Sequence, residues 1–399
     1  LITSAAQAAT RAQLCANLRG RLVHGGGSAS GLFVVNGETG APVCASAAKR
    51  QRPLASNMKL FTTSTALSRL GPQSRIATLL ETDGGIDHNG VLRGNLYLVG
   101  GGDPALGTPP FYGRYLGGLG TNLLLLKRQV REAGIRSITG RVYADDSVFD
   151  RLRGVADSGY ATSSYIGPLS GLSLNSGYSS PGASGFASDP AETAAATLAQ
   201  ALRGAGVRVS TDVGLATAPT STTELARIES PPLTEIVNTT DVYSDNFFAE
   251  MLIKLLGARF GGAGTTAAGA GVVEQFARGH GSSVHAVDGS GLTRSNRASP
   301  MQVVGLLRSM RADAAGDDFI QDLALTGHEG TVADRMHGTA AYGRCRTKTG
   351  TLTGVSNLSG YCFNRNGKLM IFSILMASVY NLSLAHVEQD LMAGEIAGY

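Results

Sequence analysis

The chain has 399 residues, 43% of them hydrophobic and 16% charged. An average soluble chain carries about 25% charge, so a charge-rich disordered protein is excluded, and at roughly 150 residues per domain the length suggests two or three globular domains. The formal net charge is +4, and no Lys/Arg-rich cluster is interleaved with aromatics, so nucleic acid is not an expected partner; the 54 glycines follow no Gly-X-Y period, which excludes collagen.

Taken in chain order, residues 31–48 read as a hairpin: an apolar run to Val35, a turn-rich stretch from Asn36 to Gly40, and a return through Pro42 and Cys44. Between Ala55 and Leu70 the apolar positions Met58, Leu60, Phe61, Ala66, Leu67 and Leu70 recur at helical spacing, and Gly71-Pro72 supplies the stop. Residues 73–228 alternate short β-like runs, 94–99 and 140–144 among them, with Gly/Ser-rich loops and two helices, 122–134 and 190–204, each closing at a glycine. Beyond Pro231-Pro232 the pattern is helical over 233–238, 244–256, 267–279 and 300–310. Strands follow at 343–351, 356–364 and 368–377, before a last helix over 382–397. This order predicts one α/β domain, residues 1–72 and 229–399, whose terminal strands share a sheet, interrupted by an inserted accessory region, residues 73–228.

No apolar run reaches the about eighteen residues that read as a membrane-spanning helix. The chain starts at Leu1 without a methionine, as it would after loss of a signal peptide or in a trimmed chain. Its four cysteines form two local pairs, Cys15 with Cys44 and Cys345 with Cys362, among the three connectivities that are formally possible. Two disulfides would imply an oxidising compartment; two pairs of reduced, buried thiols are the alternative.

Several chemistries are not supported. There is no Gly-x-Ser-x-Gly elbow, no His-Glu-x-x-His and no Walker A pattern, and no two histidines stand at metal-ligand helical spacing, so a zinc or NTP enzyme is not expected. Gly100-Gly101-Gly102 resembles a phosphate loop, but no helix follows it, and it reads as a turn.

The stronger signal is Ser56-Asn57-Met58-Lys59 at the start of a helix. Three residues apart on one helical face, the lysine amine can reach the serine hydroxyl, and burial in an apolar helix favours the neutral amine that a base requires. Ser46-Ala47-Ala48-Lys49 has the same spacing, but it leads into a polar, proline-broken segment. Ser244-Asp245-Asn246 precedes a helix; Ser244 could relay a proton while Asn246 donates to substrate and accepts from Lys59, or the residues simply cap the helix. Ser173-Leu174-Asn175 repeats that pattern. Lys348-Thr349-Gly350, followed by Thr351, lies on a late strand, where lysine supplies positive charge, threonine a hydroxyl for a carboxylate, and glycine room for a close backbone. Each motif alone is weak, whereas the ordered set in matching structural contexts is specific.

On these motifs the chain resembles the penicillin-recognising serine DD-peptidases, and within them the low-molecular-mass class C penicillin-binding proteins, the D-alanyl-D-alanine carboxypeptidase/endopeptidase family. The likeness extends to Leu96-Tyr-Leu-Val-Gly-Gly-Gly-Asp-Pro-Ala-Leu106, to Asp288-Gly-Ser-Gly-Leu292 with Arg294, and to Thr347-Lys-Thr-Gly-Thr-Leu-Thr-Gly-Val355. Ser56 and Ser244 stand 188 positions apart (244 − 56), too far for a class A β-lactamase. The resemblance implies a penicillin-binding, β-lactamase-like transpeptidase domain, an antiparallel sheet flanked by helices, with a large inserted α/β region. It implies Ser56 as nucleophile, Lys59 as base, Ser244, Asn246 and Lys348 as partners in catalysis, and Thr349, Gly350 and Thr351 as substrate-binding residues. It further implies a side pocket for the peptidoglycan stem peptide at Asp145 or Asp146, Arg294, Leu352 and Thr353, with β-lactams as covalent inhibitors and an exported, periplasmic or cell-wall location. A secreted β-lactamase or esterase on the same domain, and a non-catalytic peptidoglycan-binding module, are the rival functions.

One pairing can be counted. If Thr353-Gly354 is a two-residue hairpin turn, paired positions sum to 707, which sets Cys345 opposite Cys362 in a close, non-hydrogen-bonded pair. A bridge there is geometrically plausible and leaves Cys15 with Cys44 by elimination.

Overall fold

The computed structural model describes residues 10–399. Thr10 and Gln13 form a capping box that opens α1 (Arg11–Gly26), followed by the hairpin β1 (Gly31–Asn36) and β2 (Pro42–Ser46). A 3₁₀ turn, Ala55–Asn57, runs into α2 (Met58–Leu70), so Ser56 lies in the tighter turn ahead of the α-helix. Then come β3 (Ala77–Thr82), β4 (Leu96–Val99), α3 (Leu125–Glu132), β5 (Val142–Asp145), α4 (Pro190–Gly204), β6 (Val213–Leu215) and β7 (Thr223–Glu229). The helices α5 (Leu233–Val242), α6 (Asn246–Phe260), α7 (Thr266–Gly279) and α8 (Pro300–Met310) follow. The chain closes with β8 (Ala324–Leu325), β9 (Cys345–Leu352), β10 (Val355–Phe363), β11 (Leu369–Ala377) and α9 (Leu382–Gly398).

Two compact units emerge. One holds the chain up to Arg69, Val237–Asp245 and Val273–Tyr399; the other holds Leu70–Ile236 and Asn246–Val272. The first is built on an antiparallel sheet in the order β8-β9-β10-β11-β1-β2, so the chain's two ends meet in one sheet as expected. Both faces are covered. Leu358, Cys362 and Phe372 join a core with Leu14, Leu18 and Leu22 of α1 and Met392 and Ile396 of α9. Tyr361, one residue from Cys362 and therefore on the opposite face, reaches α8 through a hydrogen bond from its hydroxyl to the Leu307 carbonyl at 2.6 Å. A strand buried on both sides reads as a continuous apolar run, which is why β11, Leu369–Ala377, shows no alternation.

The second unit has a mixed sheet in the order β6-β5-β4-β3-β7. Here β4, β5 and β6 pair in parallel, while β3 pairs antiparallel with β4 and β7. Leu80, Leu98 and Val142 pack with Leu126 and Val130 of α3 and Leu198 and Leu202 of α4. Asp189 caps α4 by accepting from the N–H groups of Ala191 and Glu192.

Both cysteine pairs are bridged, Cys15 with Cys44 and Cys345 with Cys362. In the second the register is the counted one, with Leu352 opposite Val355 and Cys345 opposite Cys362 at a Cα separation of 4.0 Å. Gly354 takes the turn with φ of 72°. Among the described residues no helix is long and apolar enough to cross a membrane.

Candidate active site

Within the first unit three segments meet. The 3₁₀ turn carrying Ser56 lies against β9: a Cβ added to Gly350 would come within 3.1 Å of the backbone nitrogens of Ser56 and Asn57 and 2.9 Å of the Leu54 carbonyl. Glycine is thus required for contact rather than for an unusual backbone angle. Asn57 locks the approach, its Nδ2 donating to the Lys348 carbonyl at 3.0 Å and its Oδ1 accepting from the Ser359 hydroxyl at 2.6 Å. The third segment is the Asp288–Asn296 loop. Its Gly291 abuts the Ala55 carbonyl, where any Cβ would collide, and the Asp288 carboxylate shapes it by accepting from the N–H groups of Gly291 and Thr293 and from Asn296 Nδ2, each at 2.7 Å.

Lys59 points at Ser56. Its Nζ lies 3.2 Å from Ser56 Oγ and donates to the Ser290 carbonyl at 2.8 Å, and its side chain is fully buried while Ser56 is half-buried. Lys348 is fully buried as well, with Nζ donating to the Thr349 carbonyl at 3.3 Å. Burial, helped by the neighbouring Lys59 charge, lowers the Lys348 pKa to about 7, against the pull of Asp241. Burial also raises Asp241 to about 6, opposed chiefly by Lys348. Two non-glycine residues here adopt left-handed backbone conformations, Ala55 at φ 45° and Ser244 at φ 61°, each a cost of about 1–3 kcal/mol of the kind that collects at functional sites.

Around these, Thr349 donates its hydroxyl to Thr331 Oγ1 at 2.8 Å. Thr351 is exposed on β9, and Leu352 and Thr353 follow at the hairpin turn, where Arg294 Nη1 donates to the Thr353 carbonyl at 2.7 Å. Ladder alternation turns the Thr351 N–H away from β10. Ser244 ends the α5–α6 connection of the first unit, whereas Asn246 begins α6 in the second, where its Nδ2 donates to the Tyr165 carbonyl at 3.1 Å. The look-alike motifs do not assemble. Ser46 ends β2 and Lys49 is solvent-exposed, while Asn175 accepts from the N–H and hydroxyl of Thr108 in a loop of the second unit.

Asp145 and Asp146 also lie in the second unit, both buried. Asp145 is committed to backbone, accepting from the N–H groups of Ser147 at 2.9 Å and Ala218 at 2.7 Å. Asp146 Oδ2 accepts from Arg153 and from the Ser170 hydroxyl. Sequence reasoning passed over Asn57, Ser290 and Asp241. Asn57 is the unspecified position inside Ser-x-x-Lys, and nothing in the order of residues marks it as the link to β9.

The site thus holds a serine with a buried lysine at 3.2 Å and a second buried lysine on a strand. Residues 14–185 and 181–394 match the D-Ala-D-Ala carboxypeptidase 3 (S13) family. The chain belongs to that family. It is 31% identical over 431 residues to the D-alanyl-D-alanine carboxypeptidase of Actinomadura sp. (strain R39), covering 88% of this chain and 78% of that one. It is 27% identical to the carboxypeptidase DacB of Mycolicibacterium smegmatis, covering 86% and 75%. The fold is similar to that of penicillin binding protein 4 from Haemophilus influenzae, with a TM-score of 0.81 at 21% identity over 96% of this chain and 99% of that one. It is also similar to that of a predatory peptidoglycan endopeptidase from Bdellovibrio bacteriovorus, with a TM-score of 0.56 at 18% identity over 92% and 90%. This is a low-molecular-mass class C penicillin-binding protein and a serine DD-peptidase.

Proposed function

We propose that this DD-peptidase works through an acyl-enzyme on Ser56 and that its substrates are peptidoglycan stem peptides ending in D-alanyl-D-alanine, or the cross-links between them. The reading rests on one observation above all, the 3.2 Å approach of the buried Lys59 amine to Ser56 Oγ. Ser56 Oγ attacks the carbonyl of the penultimate D-alanine as its proton passes to neutral Lys59. The N–H groups of Ser56 and Thr351 receive the oxyanion. The C–N bond then breaks, the departing D-alanine amine takes a proton through Ser244 with the Lys348 ammonium behind it, and water hydrolyses the ester. Thr349 and Thr351 hold the terminal carboxylate, and Asn246 orients the peptide.

In this reading residues 1–72 and 229–399 form the catalytic domain and 73–228 the accessory region. Of the two acidic candidates for the stem peptide's free amine, Asp146 is the better, since its bonds fall on Oδ2 and leave Oδ1 for a ligand. In the first unit Arg294, held at the Thr353 carbonyl beside Leu352, is proposed separately for the stem peptide's carboxylate. Relatives of the same fold include a Haemophilus influenzae penicillin binding protein 4 complexed with a β-lactam, and β-lactams acylate Ser56 by the same attack. The two disulfides support a place outside the cytoplasm, in the periplasm or cell wall.

A fluorescent penicillin tests this. A lasting adduct that maps to Ser56, together with release of D-alanine from a stem peptide, is the expected result. Rapid loss of the label would instead mark a β-lactamase, and absence of any adduct a non-catalytic module.

A further inference from the structure

The second unit holds about as many basic as acidic residues, 15 Lys/Arg against 16 Asp/Glu over residues 70–236 and 246–272, yet one region of its surface is strongly basic. α3 sends Leu126 and Val130 into the core, which leaves Lys127, Arg128 and Arg131 on its outer side. With Glu132, and with Ala205 just past the end of α4, these residues line a groove of about 460 Å³. The positive charge continues beyond the groove. Arg203 is exposed on the last turn of α4, and the exposed Arg136 and Arg208 are joined by a hydrogen bond from the Arg208 N–H to the Arg136 carbonyl at 3.0 Å. The carboxylates of these segments do not neutralise it. Glu132 stands with Arg128 at 3.4 Å and Asp212 with Arg141 at 2.7 Å, and among the described residues no carboxylate pairs with Lys127, Arg131, Arg136, Arg203 or Arg208.

We propose that this basic strip is a docking surface for polymeric peptidoglycan, which it holds by the carboxylates of uncleaved stem peptides; the inference rests on the substrate class given above. Each stem peptide that still ends in D-alanyl-D-alanine carries a terminal carboxylate, so the polymer presents a negative charge at every such end. Guanidinium groups match carboxylates in shape as well as charge, taking two hydrogen bonds at once. Exposed cations spread over α3, the end of α4 and the Arg136–Arg208 pair suit a repeating polyanion better than a single small acid, because several weak contacts act together. Other polyanions fit less well. A helix that lies on a membrane needs an exposed apolar face, and of the three apolar residues on α3 only Leu125 is exposed. Single-stranded nucleic acid stacks on aromatic side chains, and no aromatic residue lines the groove.

The test is co-sedimentation of the penicillin-treated protein, its acylation site blocked, with purified sacculi, together with D-alanine release from sacculi and from a short soluble stem peptide. Reversing three charges, K127E/R131E/R208E, is expected to weaken sacculus binding by about tenfold or more and to slow release from sacculi, while kcat/KM on the soluble peptide keeps its wild-type value. Wild-type binding should fall as salt rises from about 0.05 to about 0.5 M, because exposed charges are screened. Triple-variant binding equal to wild type overturns the proposal, and so does an equal loss on the soluble peptide. If the variant does not fold, the salt series on the wild type decides, and binding that salt leaves unchanged overturns the proposal. Tighter wild-type binding to phosphatidylglycerol vesicles or to single-stranded DNA than to sacculi overturns it too. A penicillin-labelled enzyme whose triple variant binds sacculi normally rejects this inference alone, while an unlabelled enzyme rejects the acyl-enzyme reading and the substrate class that goes with it.

Discussion

Asn57 donates through Nδ2 to the Lys348 carbonyl at 3.0 Å, joining the turn of the first motif to the strand of the third across 291 positions of chain. Because Asn57 is fully buried, Asn57→Ala removes two buried hydrogen bonds and leaves the Ser359 hydroxyl only the Ser373 hydroxyl at 2.9 Å as acceptor. A cost of about 1–3 kcal/mol is expected in denaturant unfolding, with slower penicillin acylation. An unchanged acylation rate in a destabilised variant would show that the bond serves the fold alone.

Ser56→Ala is expected to lose penicillin labelling and D-alanine release together while changing stability by about 1 kcal/mol or less. Ser46→Ala, in the look-alike motif at the end of β2, should change neither activity. Labelling lost on replacing Ser46 would move the nucleophile.

Lys59→Arg preserves positive charge but puts at the base position a group that does not deprotonate at accessible pH. Acylation should fall by about 10²–10⁴-fold, the usual contribution of a positioned base. Stopped-flow measurement of acylation decides it, and near-normal rates would leave Lys59 an electrostatic role only.

Gly350→Ala places a methyl group 2.9 Å from the Leu54 carbonyl and 3.1 Å from the Ser56 nitrogen, neither of which is a flexible side-chain end. The turn must move away from β9. Acylation is expected to drop by more than about tenfold, since displacements of 1 Å can cost about 10²-fold, and stability by about 1–3 kcal/mol. Thermal unfolding with acylation kinetics checks both.

Thiol counting under denaturing, non-reducing conditions should find no free cysteine. Replacing Cys345 and Cys362 by serine opens a cross-link of sequence separation 17, where loop entropy predicts a loss of about 3 kcal/mol. Four free thiols would remove both bridges and the main support for an extracytoplasmic location.

Much of this molecule was legible in the order of its residues because the relevant physics is local. Helical spacing and caps marked α2, α4, α8 and α9, Pro190 and Pro300 each standing first in their helix. The step of two residues along paired strands was enough to set Cys345 against Cys362, since register propagates unchanged from the Thr353-Gly354 turn. Ser56 and Lys59 were visible for the same reason, lying within one turn of each other.

Other features depend on contacts between distant segments, and there local pattern carries no information. The parallel pairing of β4, β5 and β6 joins residues 96–99, 142–145 and 213–215, and such pairs leave no turn signature because the crossovers between them are long. Asp145 looked as available to a ligand as Asp146 until the fold brought the Ala218 N–H onto its carboxylate. Asp241 stands just past the helix expected over 233–238. Only tertiary packing buries it without a hydrogen bond beside two lysines that the sequence sets 182 positions before it and 107 after it (241 − 59 and 348 − 241), because the charge state of a buried group is decided by its neighbours in space.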